Sequence, residues 1–302
     1  MKMASQRSTE KMMRGVAMAA GLLLTGAMAL ASTLGPDGER GVHHPGRFVW
    51  FDLATDDPAS ARSFYGKVFG WRFRAVEGAS DGYTVIEHAG GKVGGMFFHP
   101  RGPGGKNETQ WLSLMSVRDS AQAARYVKSK GGEVIVAPKG VPGRGTHAVF
   151  RDPEGAIFGV LAAEGGDAPD GPVADGDVFW LDLFARDPAK AAEFYAGLGG
   201  YEVNVNEDLP GGRRLTLASG GFARAGVAGL PEGVSRPGWL PYVLVDDVRG
   251  AVDRARKAGG RILVEPQAGL LDGNLAVISD PGGGVLGIVN WVSNESQSGG
   301  KP

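Results

Sequence analysis

The amino-acid sequence repeats itself at an offset of 130 residues, and this repeat constrains the fold more than any other feature. The segment Phe48–Leu53, FVWFDL, recurs as Val178–Leu183, VFWLDL. The segment Asp57–Tyr65, DPASARSFY, recurs as Asp187–Tyr195, DPAKAAEFY. Because such long patterns recur in the same order, they indicate two copies of one structural unit.

The later part of each copy matches at an offset of 128, where Asp152–Gly155, DPEG, answers Asp280–Gly283, DPGG. The repeat therefore predicts two domains of similar size. A segment rich in Gly, Asp and Pro separates them and is typical of a linker, and the polar C-terminus is typical of a flexible tail. The predicted bounds are 45–163 for domain one, 164–173 for the linker, 174–292 for domain two and 293–302 for the tail.

Each domain contains the order strand, helix, strand, strand, strand twice, which predicts an α+β fold of two βαβββ modules per domain. The first helix illustrates the signals. Asp57 is a typical N-cap, Pro58 suits the first helical position, and Gly70 suits the stop. The residues between them place one apolar stripe along the helix, which predicts packing against a sheet.

The first 31 residues predict a signal peptide. Basic residues precede an uncharged stretch at 15–30, and the small-x-small pattern Ala29–Ala31 favours cleavage after Ala31. The stretch is short for a membrane span, so we expect export without stable membrane insertion after cleavage. The chain has no Cys, which excludes disulfides and thiolate ligands from the mature protein.

The charge balance bears on the partners. The net charge is −1 and 22% of the residues are charged, so the sequence predicts no nucleic-acid partner. The predicted partner is a small molecule. A monomer and a homodimer both remain open.

The helix that opens with Asp-Pro and ends with Phe-Tyr, the Val-Asp-Asp segment before a later helix at Val245–Asp247, and the Asp-Pro-x-Gly turn together resemble the vicinal oxygen chelate (VOC) superfamily. This group comprises glyoxalases, bleomycin-resistance proteins and extradiol dioxygenases. The resemblance covers both domains. It implies that two βαβββ modules curl around a cleft as a half-barrel, where a divalent metal is typically held by a His on the first strand and a Glu on the last.

The residues at these ligand positions differ from the pattern of the family. The first-strand positions hold Trp50 and Trp180, and the last-strand positions hold Gly159 and Gly287. The middle-strand positions, near Trp111 or Leu112 and near Trp239 or Leu240, have no His close by. We therefore expect no metal and no other cofactor at the site of the family.

The tryptophans at the ligand positions predict aromatic-lined clefts that hold a ligand by stacking and burial, although they could also simply fill the half-barrels. Asp52 and Asp182 follow two residues later and should share the face of the tryptophans. They could orient a ligand, act as a general base or pair structurally with an Arg or a backbone amide. The candidate ligand-binding residues are Trp50, Asp52, Trp111, Trp180, Asp182, Trp239 and Tyr242.

One alternative metal site remains, in domain one, where Glu87 and His147 are the best available pair for a divalent transition metal. Domain two has no His, and Leu275 corresponds to His147. The sequence thus favours an exported, metal-free protein that binds a small amphipathic molecule. The alternative is a lyase, isomerase or oxygenase, metal-dependent or using Asp52 or Asp182 as a base.

Overall fold

The computed structural model describes residues 34–76, 82–105, 108–206 and 214–291. The predicted signal peptide, at 1–31, lies outside these ranges, as do the tail predicted at 293–302 and Val292. Within the described residues, no helix is both long and apolar enough to cross a membrane.

The described elements follow the predicted order of four βαβββ modules. The helices are α1 Pro58–Phe69, α2 Ser120–Ser129, α3 Pro188–Gly199 and α4 Val248–Lys257. The strands of domain one are β1 Phe48–Thr55, β2 Arg72–Ala75, β3 Thr84–His88, β4 Gly91–Phe98, β5 Gln110–Ser116, β6 Glu133–Val141, β7 Gly145–Arg151 and β8 Ile157–Ala163. The strands of domain two are β9 Val178–Ala185, β10 Glu202–Asn206, β11 Arg214–Ser219, β12 Phe222–Gly229, β13 Gly238–Leu244, β14 Arg261–Val264, β15 Leu275–Ser279 and β16 Val285–Val289.

Each domain forms one eight-stranded sheet that joins its two modules. The strand order is β2-β3-β4-β1-β5-β8-β7-β6 in domain one and β10-β11-β12-β9-β13-β16-β15-β14 in domain two. The first strands of the two modules pair antiparallel at the centre of each sheet, β1 with β5 and β9 with β13. The α+β fold of two half-barrel domains that the sequence predicts is confirmed.

The helix signals read from the sequence act as predicted. Asp57 caps α1, because its carboxylate accepts a hydrogen bond from the Ser60 amide at 3.0 Å. Gly70 ends the helix at a φ of 74°, in the left-handed region that glycine adopts without strain. Asp187 and Gly200 repeat both roles in α3.

Side chains of successive residues in the central strands point to opposite faces of the sheet and contribute to two separate buried layers. The helices cover the outer face of each sheet, and the outer faces of both domains contribute to one continuous core. Aromatic contacts cross between the domains within it. The rings of Phe48 and Trp239 lie 4.8 Å apart, and those of Phe158 and Tyr195 lie 5.2 Å apart. The two domains therefore stabilise each other by burying shared apolar surface.

A pair of reciprocal hydrogen bonds crosses this interface. Tyr65, in the Phe-Tyr motif of α1, donates from its hydroxyl to Asp280 Oδ2 of domain two at 2.8 Å. Tyr195 of α3 donates to Asp152 Oδ2 of domain one at 3.0 Å. The Phe-Tyr motif of each domain thus meets the Asp-Pro-x-Gly turn of the other, which accounts structurally for the recurrence of both motifs.

We predict that removing one of these hydroxyls weakens the interface. In Tyr65→Phe, Asp280 loses a donor and Trp111 Nε1, which donates to the same hydroxyl at 2.9 Å, loses its acceptor. Leaving buried polar groups unsatisfied costs about 1–3 kcal/mol, and denaturant unfolding measures this. Tyr126→Phe, whose hydroxyl is only partly buried, is the matched control and should cost less. Equal stabilities of all three proteins would contradict the assignment.

A second prediction concerns pH. Burial raises the pKa of Asp152 and of Asp280 above the ordinary aspartate value. At a pH between the ordinary and the raised pKa, the folded state therefore holds protons that the unfolded state releases. The contribution of these carboxyls to the free energy of unfolding is lost as the pH rises from the ordinary pKa through the raised pKa. Thermal unfolding across this window should show that the double variant Asp152→Asn/Asp280→Asn has a flatter pH dependence than the parent. An unchanged slope would refute the prediction.

Candidate ligand clefts

The inner face of domain one carries a network of four polar side chains, which we call cleft one. Trp50 Nε1 donates to Asp52 Oδ1 at 2.9 Å, and the Tyr83 hydroxyl donates to the same oxygen at 2.7 Å. Arg144 Nη2 lies 2.5 Å from Asp52 Oδ2, and its Nη1 donates to the Tyr83 hydroxyl at 3.1 Å. Trp50 and Asp52 therefore share one face of β1, as the alternation of a strand predicts.

Cleft one is closed to solvent. Asp52 is 3% exposed and Arg144 2% exposed, and Trp50 and Tyr83 are buried beside them. Burial by itself lowers the pKa of Arg144, but the adjacent Asp52 carboxylate outweighs this and holds it above its ordinary value. Burial also raises the pKa of Tyr83, so the phenol stays protonated and donates. The charge of Asp52 is thus neutralised inside the fold.

The inner face of domain two carries a similar set, which we call cleft two. Trp180 Nε1 donates to Asp182 Oδ1 at 2.9 Å, and Arg214 Nη1 donates to Asp182 Oδ2 at 3.0 Å. Tyr242 is buried near Asp182, and burial, reinforced by the negative charge of Asp182, raises the pKa of its phenol well above the ordinary value. Both clefts therefore hold a carboxylate among an indole, a phenol and a guanidinium.

The phenol and the guanidinium come from non-equivalent positions in the two domains. Tyr242 pairs with Trp180 across the central strands, whereas Leu114 pairs with Trp50. Tyr83 of domain one and Arg214 of domain two occupy equivalent strand positions. In each domain a Gly pairs with the cleft aspartate, and this Gly also pairs with a residue on the next strand. That residue lies two positions after Tyr83 in domain one and two positions after Arg214 in domain two. No repeated motif marks Tyr83, Arg144 and Arg214, so the sequence alone gives no signal that they belong to the clefts.

Cleft two is open where cleft one is closed. Arg214 is 29% exposed and Trp180 is partly exposed, although Asp182 beneath them is buried. The ring of Trp291, 54% exposed, lies 5.9 Å from that of Phe179, which precedes Trp180 on β9. Cleft two thus offers aromatic surface and a guanidinium to solvent above a neutralised carboxylate.

The divalent metal of related proteins does not fit either cleft. A Cβ on Gly287 would overlap the Tyr242 ring, and one on Gly159 would lie 2.7 Å from Leu114 Cγ, so neither last-strand position has room for a carboxylate side chain. The cleft carboxylates are each paired with an arginine, which repels a cation. Across the described part of the chain, no three His, Cys, Asp or Glu residues are grouped to hold a metal.

The alternative ligand pair, Glu87 and His147, lies on separate strands. Glu87 is on β3, and its carboxylate is bound by Arg74 Nε at 2.7 Å. His147 is buried on β7, with four strands between β3 and β7 in the sheet. The described ranges supply no third ligand beside them.

Two candidate residues lie away from the clefts. Trp111 and Trp239 are in the outer layer at the domain interface, where their indoles donate to Tyr65 and Tyr195. The physical reason is that side chains alternate along a strand, so a shift of one residue moves a side chain to the opposite face of the sheet. The neighbours Leu112 and Leu240 pair with Asp52 and Asp182 across the central strands, and the two tryptophans therefore face the other way. The expectation that these two tryptophans line the clefts needs this correction.

We predict that the Asp52–Arg144 pair is sensitive to loss of one partner. Asp52→Ala leaves a buried guanidinium without its counter-charge, which costs about 3–5 kcal/mol in denaturant unfolding. Asp182→Ala is the matched control and should cost less, because Arg214 is partly solvated. The double variant Asp52→Leu/Arg144→Met should recover most of the loss. Equal losses in both single variants would contradict this account.

Comparison with known proteins agrees with the fold. The family model described as Glyoxalase/Bleomycin resistance protein/Dioxygenase superfamily matches residues 47–160 and 178–287. The anthracycline biosynthesis protein DnrV of Streptomyces peucetius is 32% identical over 264 residues, covering 81% of this chain and 93% of that protein.

Two solved structures share the fold at low identity. The Mn(II)-bound glyoxalase from Novosphingobium aromaticivorans has a TM-score of 0.55 at 17% identity, covering 82% of this chain and 83% of that one. The homoprotocatechuate 2,3-dioxygenase from Brevibacterium fuscum has a TM-score of 0.55 at 14% identity, covering 88% and 84%. The chain belongs to the Glyoxalase/Bleomycin resistance protein/Dioxygenase superfamily, as its repeated motifs indicate.

Proposed function

We propose that this chain binds a small amphipathic molecule in cleft two without a metal ion. The observation that carries the proposal is that the partly exposed Trp180 and the partly exposed Arg214 both donate to the buried Asp182 carboxylate. An aromatic wall supplies buried area and stacking, and a few polar groups fix orientation, which is the usual composition of a small-molecule site.

Within the described residues, the free hydrogen-bonding capacity of cleft two lies on the guanidinium of Arg214. Asp182 accepts from Trp180 at Oδ1 and from Arg214 at Oδ2, so both of its oxygens are already engaged. Arg214 has five N–H groups and donates one of them to Asp182 in this arrangement. A ligand is therefore held by its acceptor oxygens at Arg214 and by its rings against Trp180.

A relative of this chain supports the chemical class. DnrV is named as an anthracycline biosynthesis protein, and anthracyclines carry planar fused rings with polar substituents. A molecule of this kind matches an aromatic cleft with one cationic edge.

The enzymatic alternative, a lyase, isomerase or oxygenase, has less support. A metal-dependent reaction needs ligands that the clefts do not hold, and a metal-free one needs a carboxylate able to accept a proton. Asp52 is sealed against Arg144, and Asp182 accepts hydrogen bonds from Trp180 and Arg214. Neither is placed to take a proton from a ligand.

We further propose that the protein acts outside the cytoplasm, on the strength of the leader at 1–31. Expressed in its own cell type or a related host, the mature protein should be recovered from the exported fraction and begin at Ser32. N-terminal sequencing checks this, and recovery of the intact N-terminus from the cytoplasm would contradict it.

We predict that the fluorescent probe anilinonaphthalene sulfonate, an aromatic amphiphile with an anionic group, binds cleft two. Trp180→Ala and Arg214→Gln should each weaken its binding by about tenfold, or about 1.4 kcal/mol, because each removes one half of the site. Titration of probe fluorescence measures the Kd.

The matched control is Phe98→Ala, which removes an exposed aromatic residue of domain one and should leave the Kd unchanged. Treatment with a chelator, or addition of Mn²⁺ or Zn²⁺, should not alter binding by the parent. Equal weakening by Phe98→Ala, or dependence on a metal, would overturn the proposal.

A further inference from the structure

The segment before β1, residues 34–46, packs onto the inner side of domain one, and we call it the strap. Its first described residue, Leu34, is 5% exposed and belongs to the same buried cluster as Trp50, Leu161 and Ala163. This cluster lies on the cleft face and is separate from the core under the helices. An apolar side chain of the strap thus fills part of the space that a ligand would take in an open cleft.

The strap contacts both modules of domain one. Asp37 forms an ion pair with Lys92 of β4 at 2.5 Å, in the first module. Gly35 lies against the backbone of Arg144 in the second module, where a Cβ on the glycine would be 3.3 Å from the Arg144 carbonyl oxygen. The strap therefore spans the mouth of cleft one from one wall to the other.

The base of the strap is fixed by a buried carboxylate at the start of the linker. Asp167, 1% exposed, accepts from the His44 amide at 2.6 Å and from Ser116 Oγ at 2.5 Å. Its own amide donates to the Val42 carbonyl at 2.8 Å. Side chains are sterically excluded at Gly38 and Gly166, where the two segments cross. The strap thus has a built docking site.

Within the described residues, the chain connectivity explains why no equivalent segment covers cleft two. The segment that precedes the first strand of domain two is the linker at 164–173, which begins at the end of β8 and is held against the strap through Gly166 and Asp167. It cannot also reach cleft two. In the described part of the chain, domain one alone has a preceding segment that lies in its own cleft.

We propose that the strap is an intramolecular peptide ligand of cleft one, so that the protein presents a single open cleft, in domain two. Cleft one is a peptide-binding groove with an apolar subsite for Leu34 and an ionic contact for Asp37. Displacement of the strap exposes the inner face of domain one while the helix-side core stays intact.

Thiol labelling tests this directly, because the chain has no cysteine background. Ala163→Cys places a reporter in the strap-covered cluster, and Ala148→Cys places one in the helix-side core. Each reporter is combined with Leu34→Asp, which removes the apolar anchor, and with Arg40→Ala, an exposed strap position, as the matched control. Labelling by a soluble disulfide reagent is followed in the folded protein.

Leu34→Asp should accelerate labelling at position 163 by about tenfold or more, since local opening then governs access, and should leave position 148 protected. Arg40→Ala should change neither rate. Rapid labelling at 163 with the strap intact, or no acceleration by Leu34→Asp, would overturn the proposal. Equal acceleration at 148 would also overturn it, because Leu34 would then be part of the cooperative core and not a separable ligand.

Discussion

The arginine–aspartate pair on the floor of each cleft is the interaction on which the functional account depends. A buried carboxylate is costly unless it is paired, and here Arg144 and Arg214 supply the counter-charge to Asp52 and Asp182. The same pairing decides the chemistry of the clefts. A cation is repelled from a site already holding a guanidinium, and the carboxylate is no longer available as a ligand or base. The pairing thereby leaves neither carboxylate of this chain free to chelate a metal, which is the basis of the proposal that cleft two holds an organic molecule.

The two domains share one architecture but differ in how accessible their clefts are to solvent. Their sheets share one strand order, and their helices form one interface held by reciprocal Tyr–Asp hydrogen bonds. Chain connectivity breaks this symmetry, because the segment before domain one is free to cover its cleft and the linker before domain two is not. A duplicated protein can in this way keep one half as a stable scaffold while the other half retains an accessible site.

Much of the fold was predictable because its signals are local and occur twice. Asp57 and Gly70 bound a helix in any context, and the repeat placed the same signals in domain two. The cleft chemistry was less predictable. Whether Trp111 or Leu112 faces inward depends on a one-residue register that tertiary pairing sets, and Arg144 reaches Asp52 from 92 residues away without a counterpart in the repeat. Long-range partners of this kind leave no periodic pattern in a single sequence.

The most direct test of the central claim is the metal content of the mature protein, purified without an affinity tag, incubated with Mn²⁺, Fe²⁺, Ni²⁺ and Zn²⁺ in turn and then dialysed. The arginine-neutralised clefts predict that elemental analysis finds only a small fraction of an equivalent of any metal per chain. Retention of a full equivalent, lost on Asp182→Ala or on His147→Ala, would contradict the account and make the corresponding cleft a metal centre.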